Sequence, residues 1–441
     1  IIFNILRWVQ MKVVIIGGGA AGSEAALSAR KFDRNSEITI IERQDTPQYS
    51  LCGLPYGISK DIDNLDNLII FPKEFYEKQK IKLLLKRDVK KIDSVEKKIL
   101  LDDNSEIQYD SLIIATGAAP CNYRNDIKYP EGVYFIRTLA DARRLSEKID
   151  KSKKAIIYAY GWGCKAGCKG CISGRISLEM AYALKKRGLE VTIVSKENRP
   201  LRQQIDMDMG DLILDYLTSK GIIIVTNKNS FNFSGEEKVD GMIADGELMP
   251  ADVVVVASGT RPTTRLAKES GINVGTGIKI DSKLKTSIDG VYACGDCAGI
   301  KYFFTGEEFS SSLGTNAVRT GKIAGINSVG GNMIFDPVLN IFIMDFFDLE
   351  IGGFGLTEDV LLGRGIEYFK ARYKGKSKAE YYPGSKEIVV KLLASKEGDI
   401  LGFQAIGEEG IFARTLALGF AVQKGLKINE LAKNENCYSP P

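Results

Sequence analysis

The segment from Lys12 to Glu42 constrains this chain more than any other. Lys12-Val13-Val14-Ile15-Ile16 is a continuous apolar run, as a buried parallel strand requires when helices cover both faces of its sheet. It feeds Gly17-Gly18-Gly19-Ala20-Ala21-Gly22, a helical pattern through Arg30, and a second strand, Glu37 to Ile41, that ends at Glu42. Glycines permit the tight turn and close backbone approach, a helix N-terminus attracts pyrophosphate, and a terminal acid accepts hydrogen bonds from an adenosine ribose. A glycine-rich turn alone says little. The full order predicts a dinucleotide-binding unit and commits the start of the fold to an α/β architecture.

The pattern repeats inside the chain. Asp110-Ser111-Leu112-Ile113-Ile114-Ala115-Thr116-Gly117-Ala118-Ala119-Pro120 is echoed by Ala251-Asp252-Val253-Val254-Val255-Val256-Ala257-Ser258-Gly259-Thr260-Arg261-Pro262. The second copy follows its own strand, Lys154 to Tyr160, a helix from about Gly174 to Arg187, and a strand from Glu190 to Val194. Two tandem nucleotide-binding domains of Rossmann-like form are expected. Farther on, Gly290 to Asp296 reads as a short strand ending in Gly-Asp, followed by a helix from about Ser312 to Ser328. Beyond Pro337 the pattern changes to alternating strands such as Lys386 to Leu393, with a helix from Glu409 to Lys424, which predicts a separate α+β domain.

A balanced net charge of +4, with 44% apolar and 26% charged residues, describes a soluble globular chain and gives no reason to expect nucleic acid. No apolar run is long enough to cross a bilayer. The stretch Ile1 to Gln10 is apolar but lacks a basic start and a cleavage site, so Met11 is read as the natural beginning of the fold. The eight cysteines, without a secretory signal, point to a reducing, cytoplasmic compartment. The chain has no histidine. Proton transfer therefore falls to Tyr, Lys, Cys, Asp or Glu, and metal sites to thiolates or carboxylates.

Cys52 stands in Tyr49-Ser50-Leu51-Cys52-Gly53-Leu54-Pro55-Tyr56, shortly after the first unit, with no second cysteine five residues on. Gly53-Leu54-Pro55 looks like a first helical turn, where proline is tolerated. A thiol there is expected to have a lowered pKa. Without an internal partner, Cys52 must be resolved by an external thiol or through sulfenic acid chemistry. The bland alternative is a small core cysteine.

The second unit departs from the first. About a dozen extra residues separate its first strand from Leu178-Glu179-Met180-Ala181, including Gly161, Gly163 and a CxxxCxxC run of Cys164, Cys168 and Cys171. Three such thiols resemble iron-sulfur ligation more than zinc, which usually takes four closed ligands. Metal-free thiols in an exposed loop are the alternative, and the fourth ligand is not evident; Cys121 is nearest in sequence. The insert lies where a nicotinamide nucleotide's pyrophosphate would sit, which raises a rival route in which electrons arrive through a cluster. Ser195-Lys196 ends the second strand of this unit, and a cation in place of an acid favours a 2′-phosphate, hence NADPH over NADH.

On these residues the chain, from 11 to 441, resembles the flavoprotein disulfide reductase superfamily, in its single-cysteine branch of coenzyme A disulfide reductases, NAD(P)H oxidases and sulfur or polysulfide reductases. Its marks are Gly17 to Gly22 with Glu42, the run at Cys52, Ala115-Thr116-Gly117, Gly295-Asp296, Phe346-Phe347-Asp348-Leu349 and the terminal Tyr438-Ser439-Pro440-Pro441. The resemblance implies a FAD-binding domain split into 11–122 and 263–333, an NAD(P)-binding domain at 123–262 with its cysteine-rich insert at 161–173, and a dimerisation domain at 334–441. It implies that FAD is held by Gly17, Gly19, Gly22, Glu42, Arg43, Val89, Ala115, Thr116, Gly117, Gly295 and Asp296, and NAD(P)H by Gly161, Gly163, Glu179, Ser195, Lys196 and Gly259. Cys52 would be the redox thiol, with Tyr382 and Tyr438 supplying protons from the other subunit of a homodimer, or serving only as packing tyrosines. The two-cysteine branch would have a partner where this chain has Gly57. Family oxidases place a histidine where this chain has Ala20, which weakens that reading. Arg30 and Lys31 resemble a coenzyme A phosphate cluster, or are simply a solvated helix end. The implied activity is reduction of a small disulfide, persulfide or polysulfide by NAD(P)H; a flavoprotein drained or fed by a cluster, and an NAD(P)H oxidase, are the alternatives.

Overall fold

Two five-stranded parallel sheets with the same internal order organise the first three quarters of the chain. The computed structural model describes residues 10–121, 128–159 and 174–435. In the first sheet the order is Val291–Ala293, Ser111–Ile114, Lys12–Ile16, Glu37–Glu42, Ile81–Leu85. The second runs Val133–Tyr134, Val253–Val256, Lys154–Tyr158, Glu190–Val194, Ile223–Val225. Central strands are sealed on both faces, which is why they are apolar throughout rather than alternating.

Val133–Tyr134 joins the edge of the second sheet ahead of that sheet's central strands, and Val291–Ala293 joins the edge of the first only after the second is complete. The chain therefore crosses between the units twice, and the two repeated turns meet at the crossing. Ala118–Pro120 pairs antiparallel with Thr260–Pro262, so the echo seen in the sequence is also a physical contact.

The helix predicted to reach Arg30 runs over Ala20–Phe32 and packs against Gly314–Ser328, two residues shorter at its start than the predicted Ser312–Ser328. Small residues set this approach: a Cβ on Gly321 would lie 2.3 Å from the Ala21 carbonyl oxygen, and one on Gly325 2.1 Å from that of Ala25. Two three-stranded meanders, Val89–Asp93 with Lys98–Leu101 and Glu106–Gln108, and Phe231–Ser234 with Gly241–Ala244 and Glu247–Pro250, flank the sheets.

The C-terminal region is a five-stranded antiparallel sheet ordered Phe342–Phe346, Leu349–Gly355, Ile400–Gly407, Glu387–Ala394, Phe369–Lys376, backed by the helix Ile411–Gln423. A buried charge cluster binds it to the second unit. Lys391, 2% exposed, places Nζ 3.0 Å from Asp206, 2.6 Å from Asp208 and 2.5 Å from Glu358. Burial alone would push this amine down, but the three carboxylates hold it up. Gln404 Nε2 donates to Asp206 at 2.8 Å, and the Asp206 amide donates back to Gln404 Oε1 at 2.8 Å. The acidic trio thus already holds the chain's own cation. Among the described residues no helix is long and apolar enough to cross a membrane.

Candidate active site

The first glycine turn is a backbone cradle. Gly17 has φ +108°, and a Cβ there would lie 2.2 Å from the Ala115 carbonyl oxygen; one on Gly22 would lie 1.9 Å from that of Gly17. At Gly19 a Cβ would meet nothing within 4 Å, so this side of the turn is open. The helix Ala20–Phe32 starts there without a side-chain cap, leaving its first amides to face the opening. Glu42, 7% exposed, accepts from the Gly18 amide at 2.7 Å and from the Gln44 amide at 2.9 Å. That geometry fixes its carboxylate at the edge of the turn.

The other expected FAD residues gather around this cradle. Ala115-Thr116-Gly117 ends the strand beside Lys12–Ile16; Thr116 Oγ1 donates to the Thr263 carbonyl at 2.7 Å, and the Thr263 amide donates to the Gly117 carbonyl at 2.9 Å. Gly295, at φ +73°, sits so close that a Cβ would be 2.7 Å from Ala21 Cβ. Its amide donates to Thr320 Oγ1 at 2.9 Å. Val89 is buried in the same core cluster as Ile16 and Ile41, and Arg43 is exposed at the end of the second strand. An open glycine cradle, an uncapped helix start and a ribose-type acid suit a dinucleotide such as FAD.

Cys52 lies in a tight turn before the helix Leu54–Ile58, with the Gly53 amide donating to Ser50 Oγ at 3.1 Å. That helix is buried where three regions meet: Leu54 and Ile58 share a core cluster with Leu178 and Ala181 of the second unit and Phe342 and Met344 of the C-terminal sheet. Gly57 is buried too, and a Cβ on it would be 2.4 Å from Leu65 Cδ2, so a second cysteine there would force Leu65 to move.

The expected low pKa of Cys52 is not what the structure supports. Cys52 is exposed on one side, yet the protein crowds it on enough others that burial pushes the thiol up, Glu179 adds to this, and Arg175 opposes it. The helix that was to lower it has five residues, too short for a substantial dipole. Ionisation of Cys52 is set by neighbouring side chains instead.

Those neighbours are charged and partly buried. Glu179 is pushed up to about 7 by burial, with Arg175 holding it down and Asp345 adding to the rise. Asp296 is raised by burial and restrained by Arg137, whose Nη2 lies 3.2 Å from its carboxylate. Tyr56 donates its hydroxyl to Asp345 Oδ1 at 2.9 Å; burial and that carboxylate raise its pKa, so it stays protonated. Sequence reasoning missed Arg137, Arg175, Tyr56 and Asp345. Arg175 precedes Glu179 by four residues on one helix, a spacing that was readable; Arg137 and Asp345 come together with the site only through the fold.

The remaining expected residues divide. Ser195 is buried and donates to the Ala159 carbonyl at 3.1 Å, Lys196 is exposed just past the strand Glu190–Val194, and the Gly259 carbonyl accepts from the Cys121 amide at 2.7 Å. Gly161, Gly163, Cys164, Cys168, Cys171 and Tyr438 lie outside the described residues. Tyr382 is in the loop between the last two strands to pair in the C-terminal sheet; its ring faces Lys378 Nζ at 5.7 Å, and no described contact joins it to Cys52 within one chain. Arg30 is committed to structure, donating to the carbonyls of Gln79 at 3.0 Å, Arg34 at 2.8 Å and Lys80 at 2.8 Å.

A glycine cradle, a second unit of the same strand order and a lone cysteine between them define a flavin-dependent pyridine nucleotide oxidoreductase. The chain belongs to the pyridine nucleotide-disulphide oxidoreductase family, whose model matches residues 11–321, and carries that family's dimerisation domain at 341–441. It is an FAD-dependent NAD(P)H oxidoreductase. It is 37% identical to a protein of Methanocaldococcus jannaschii named NADH oxidase, over 98% of this chain and 95% of that one. To a Pyrococcus furiosus protein named NAD(P)H sulfur oxidoreductase (CoA-dependent) it is 31% identical, over 98% and 96%. The solved structure of an NAD-dependent persulfide reductase from A. fulgidus superposes with a TM-score of 0.90 at 30% identity, covering 98% of this chain and 80% of that one.

Proposed function

We propose that this enzyme reduces a small disulfide, persulfide or polysulfide with NAD(P)H, through Cys52 as its single redox thiol. The observation that carries the reading is the placement of Cys52 at the head of a helix that shares a core with Leu178 of the second unit, within electrostatic reach of Glu179, with Gly57 where an internal partner would stand. Cys52 Sγ, as thiolate, attacks one sulfur of the substrate, forms a mixed disulfide and releases the other sulfur as thiolate. FAD, when bound, supplies the electron pair from NAD(P)H that returns the mixed disulfide to two thiolates. Glu179, titrating near neutrality, can take or give the proton that accompanies these changes.

The enzyme is read as a cytoplasmic homodimer in which Tyr382 and Tyr438 reach the other subunit's Cys52. Domain limits at 11–122 with 263–333, 123–262 and 334–441 are supported by the paired crossing of Ala118–Pro120 and Thr260–Pro262. The free thiols of Cys52, Cys294 and Cys297 fit a reducing compartment. The relatives named for sulfur and persulfide reduction support the substrate class. An oxidase reading is favoured by the relative named NADH oxidase, and opposed by Ala20 and the absence of histidine.

Cys52→Ser should cut anaerobic NAD(P)H turnover with coenzyme A disulfide or polysulfide by about a thousandfold or more, as removing a covalent nucleophile does. A variant that keeps this turnover overturns the role of Cys52. Turnover of the parent enzyme with oxygen alone, and none with sulfur substrates, selects the oxidase reading.

A further inference from the structure

We propose that Arg202 is a specificity-determining residue for the nicotinamide cofactor: with Lys196 it receives the 2′-phosphate of NADPH, while Glu197 holds it in place and opposes that phosphate. The inference concerns the nucleotide of the second unit and does not depend on the role of Cys52.

Strand register puts Ser195 where the first unit has Glu42. Ile16 pairs with Ile41 in one sheet and Tyr158 with Val194 in the other, and the residues that follow are Glu42 and Ser195. The two turns are capped alike. Glu42 accepts from the amide two residues on, that of Gln44, at 2.9 Å, and Ser195 Oγ accepts from the amide two residues on, that of Glu197, at 3.1 Å. Ser195 donates its own proton to the Ala159 carbonyl at 3.1 Å. The serine therefore keeps the cap and gives up the carboxylate. An acid here would accept from a ribose 2′-hydroxyl and repel a 2′-phosphate; a short neutral side chain leaves room for the phosphate.

Three cations follow in the loop that runs from Ser195 to the helix Met207–Ser219, and they are not equivalent. Arg199 is 4% exposed and committed to structure, with Nη2 2.8 Å from Asp359. Lys196 is exposed. Arg202 has a side chain 36% exposed; its Nη1 donates to Glu197 Oε2 at 2.8 Å and its Nε lies 3.5 Å from Asp359, which leaves Nη2 without a hydrogen bond to any described residue. Glu197 adjoins Lys196 in the chain and is capped by Ser195, so its grip brings the Arg202 guanidinium back to the turn that Ser195 closes.

The loop is also built to hold that posture. Leu201, fully buried, has φ +55°, a left-handed conformation that leucine rarely adopts, and its carbonyl accepts from the amides of Gln204 at 2.7 Å and Ile205 at 3.0 Å. The residue before Arg202 is thus pinned, and two carboxylates fix the guanidinium itself. An arginine fork arranged in this way matches a phosphate better than a mobile lysine does. Asp359 belongs to the helix Glu358–Gly363 of the C-terminal region, so that region takes part in orienting a cofactor-selecting residue of the second unit.

The test is isothermal titration calorimetry of the oxidised, FAD-loaded enzyme with adenosine 2′,5′-bisphosphate and with adenosine 5′-monophosphate, which differ by the 2′-phosphate alone. The parent should bind the bisphosphate more tightly. Arg202→Met should weaken the bisphosphate about tenfold and leave the monophosphate unchanged, and Arg202→Lys should recover part of the loss. Glu197→Gln keeps an acceptor for Arg202 and removes the negative charge, so it should tighten the bisphosphate roughly threefold. A parent that binds both nucleotides equally, an Arg202→Met variant with unchanged affinity for the bisphosphate, or one that loses both nucleotides alike overturns the proposal. Should Arg202→Met fail to fold, Glu197→Gln decides, and an affinity for the bisphosphate that stays or falls overturns it. Because neither nucleotide reacts, the result is independent of Cys52: retained turnover in Cys52→Ser would end the sulfur-reductase reading and leave the role of Arg202 standing, and the reverse holds equally.

Discussion

The two nucleotide-binding units have the same strand order and differ at one turn. In the first, strand Lys12–Ile16 passes through Gly17, Gly18 and Gly19 straight into its helix, and Glu42 closes the turn from the next strand. In the second, strand Lys154–Tyr158 and helix Arg175–Lys186 are separated by the cysteine-rich insert, and the strand that matches Glu37–Glu42, Glu190–Val194, is followed by Ser195 and Lys196. A sheet can thus be copied without copying the site on its edge. The strands are held by burial and ladder pairing, whereas the ligand contacts come from the turns, which can lengthen at little cost to the sheet.

The largest expected effect falls on the first unit. Gly22→Ala places a methyl 1.9 Å from the Gly17 carbonyl, a backbone clash that should displace the turn and leave the purified protein nearly free of flavin in its visible spectrum. In the second unit, replacing Cys164, Cys168 and Cys171 together by Ser should leave flavin content intact and raise the KM for NAD(P)H about tenfold, the equivalent of about 1.4 kcal/mol. Loss of flavin there would break the contrast, and iron and acid-labile sulfide measured on both proteins would say what the thiols hold.

Smaller effects sharpen the contrast further. Lys196→Glu puts an acid one residue past Ser195, the position that matches Glu42, and should shift preference from NADPH toward NADH by about tenfold in kcat/KM. Glu179→Gln tests the electrostatics between the units. The folded-state pKa of Glu179 is raised to about 7, above the ordinary carboxylate range, so its burial costs nothing at acid pH where it is protonated both folded and unfolded. The cost grows as pH rises from about 4.5 toward 7 and is complete above that. Glu179→Gln should therefore match the parent's Tm near pH 4 and exceed it by a few degrees near pH 8, by differential scanning fluorimetry.

Much of this was legible in the sequence, because central parallel strands are continuous apolar runs and glycine turns have few physical alternatives. The strands Lys12–Ile16 and Glu190–Val194 lie as predicted, and the predicted Lys154 to Tyr160 is described over Lys154–Tyr158. Less was legible where short antiparallel strands depend on pairing more than on pattern, as in the two meanders. At the candidate site the sequence located Cys52 and Glu179 but misjudged the thiol's ionisation, because a helix start looks the same in sequence whether its helix has five residues or fifteen.

By itself the sequence determined two nucleotide-binding units, a lone cysteine after the first, and a third domain of different class. Those follow from local periodicity and from residues whose conformational freedom or chemistry is specific. Only the tertiary structure decided which charges surround Cys52. Arg137, Arg175, Asp296 and Asp345 come from four separate segments, and electrostatic influence depends on distance through a partly buried site rather than on separation along the chain.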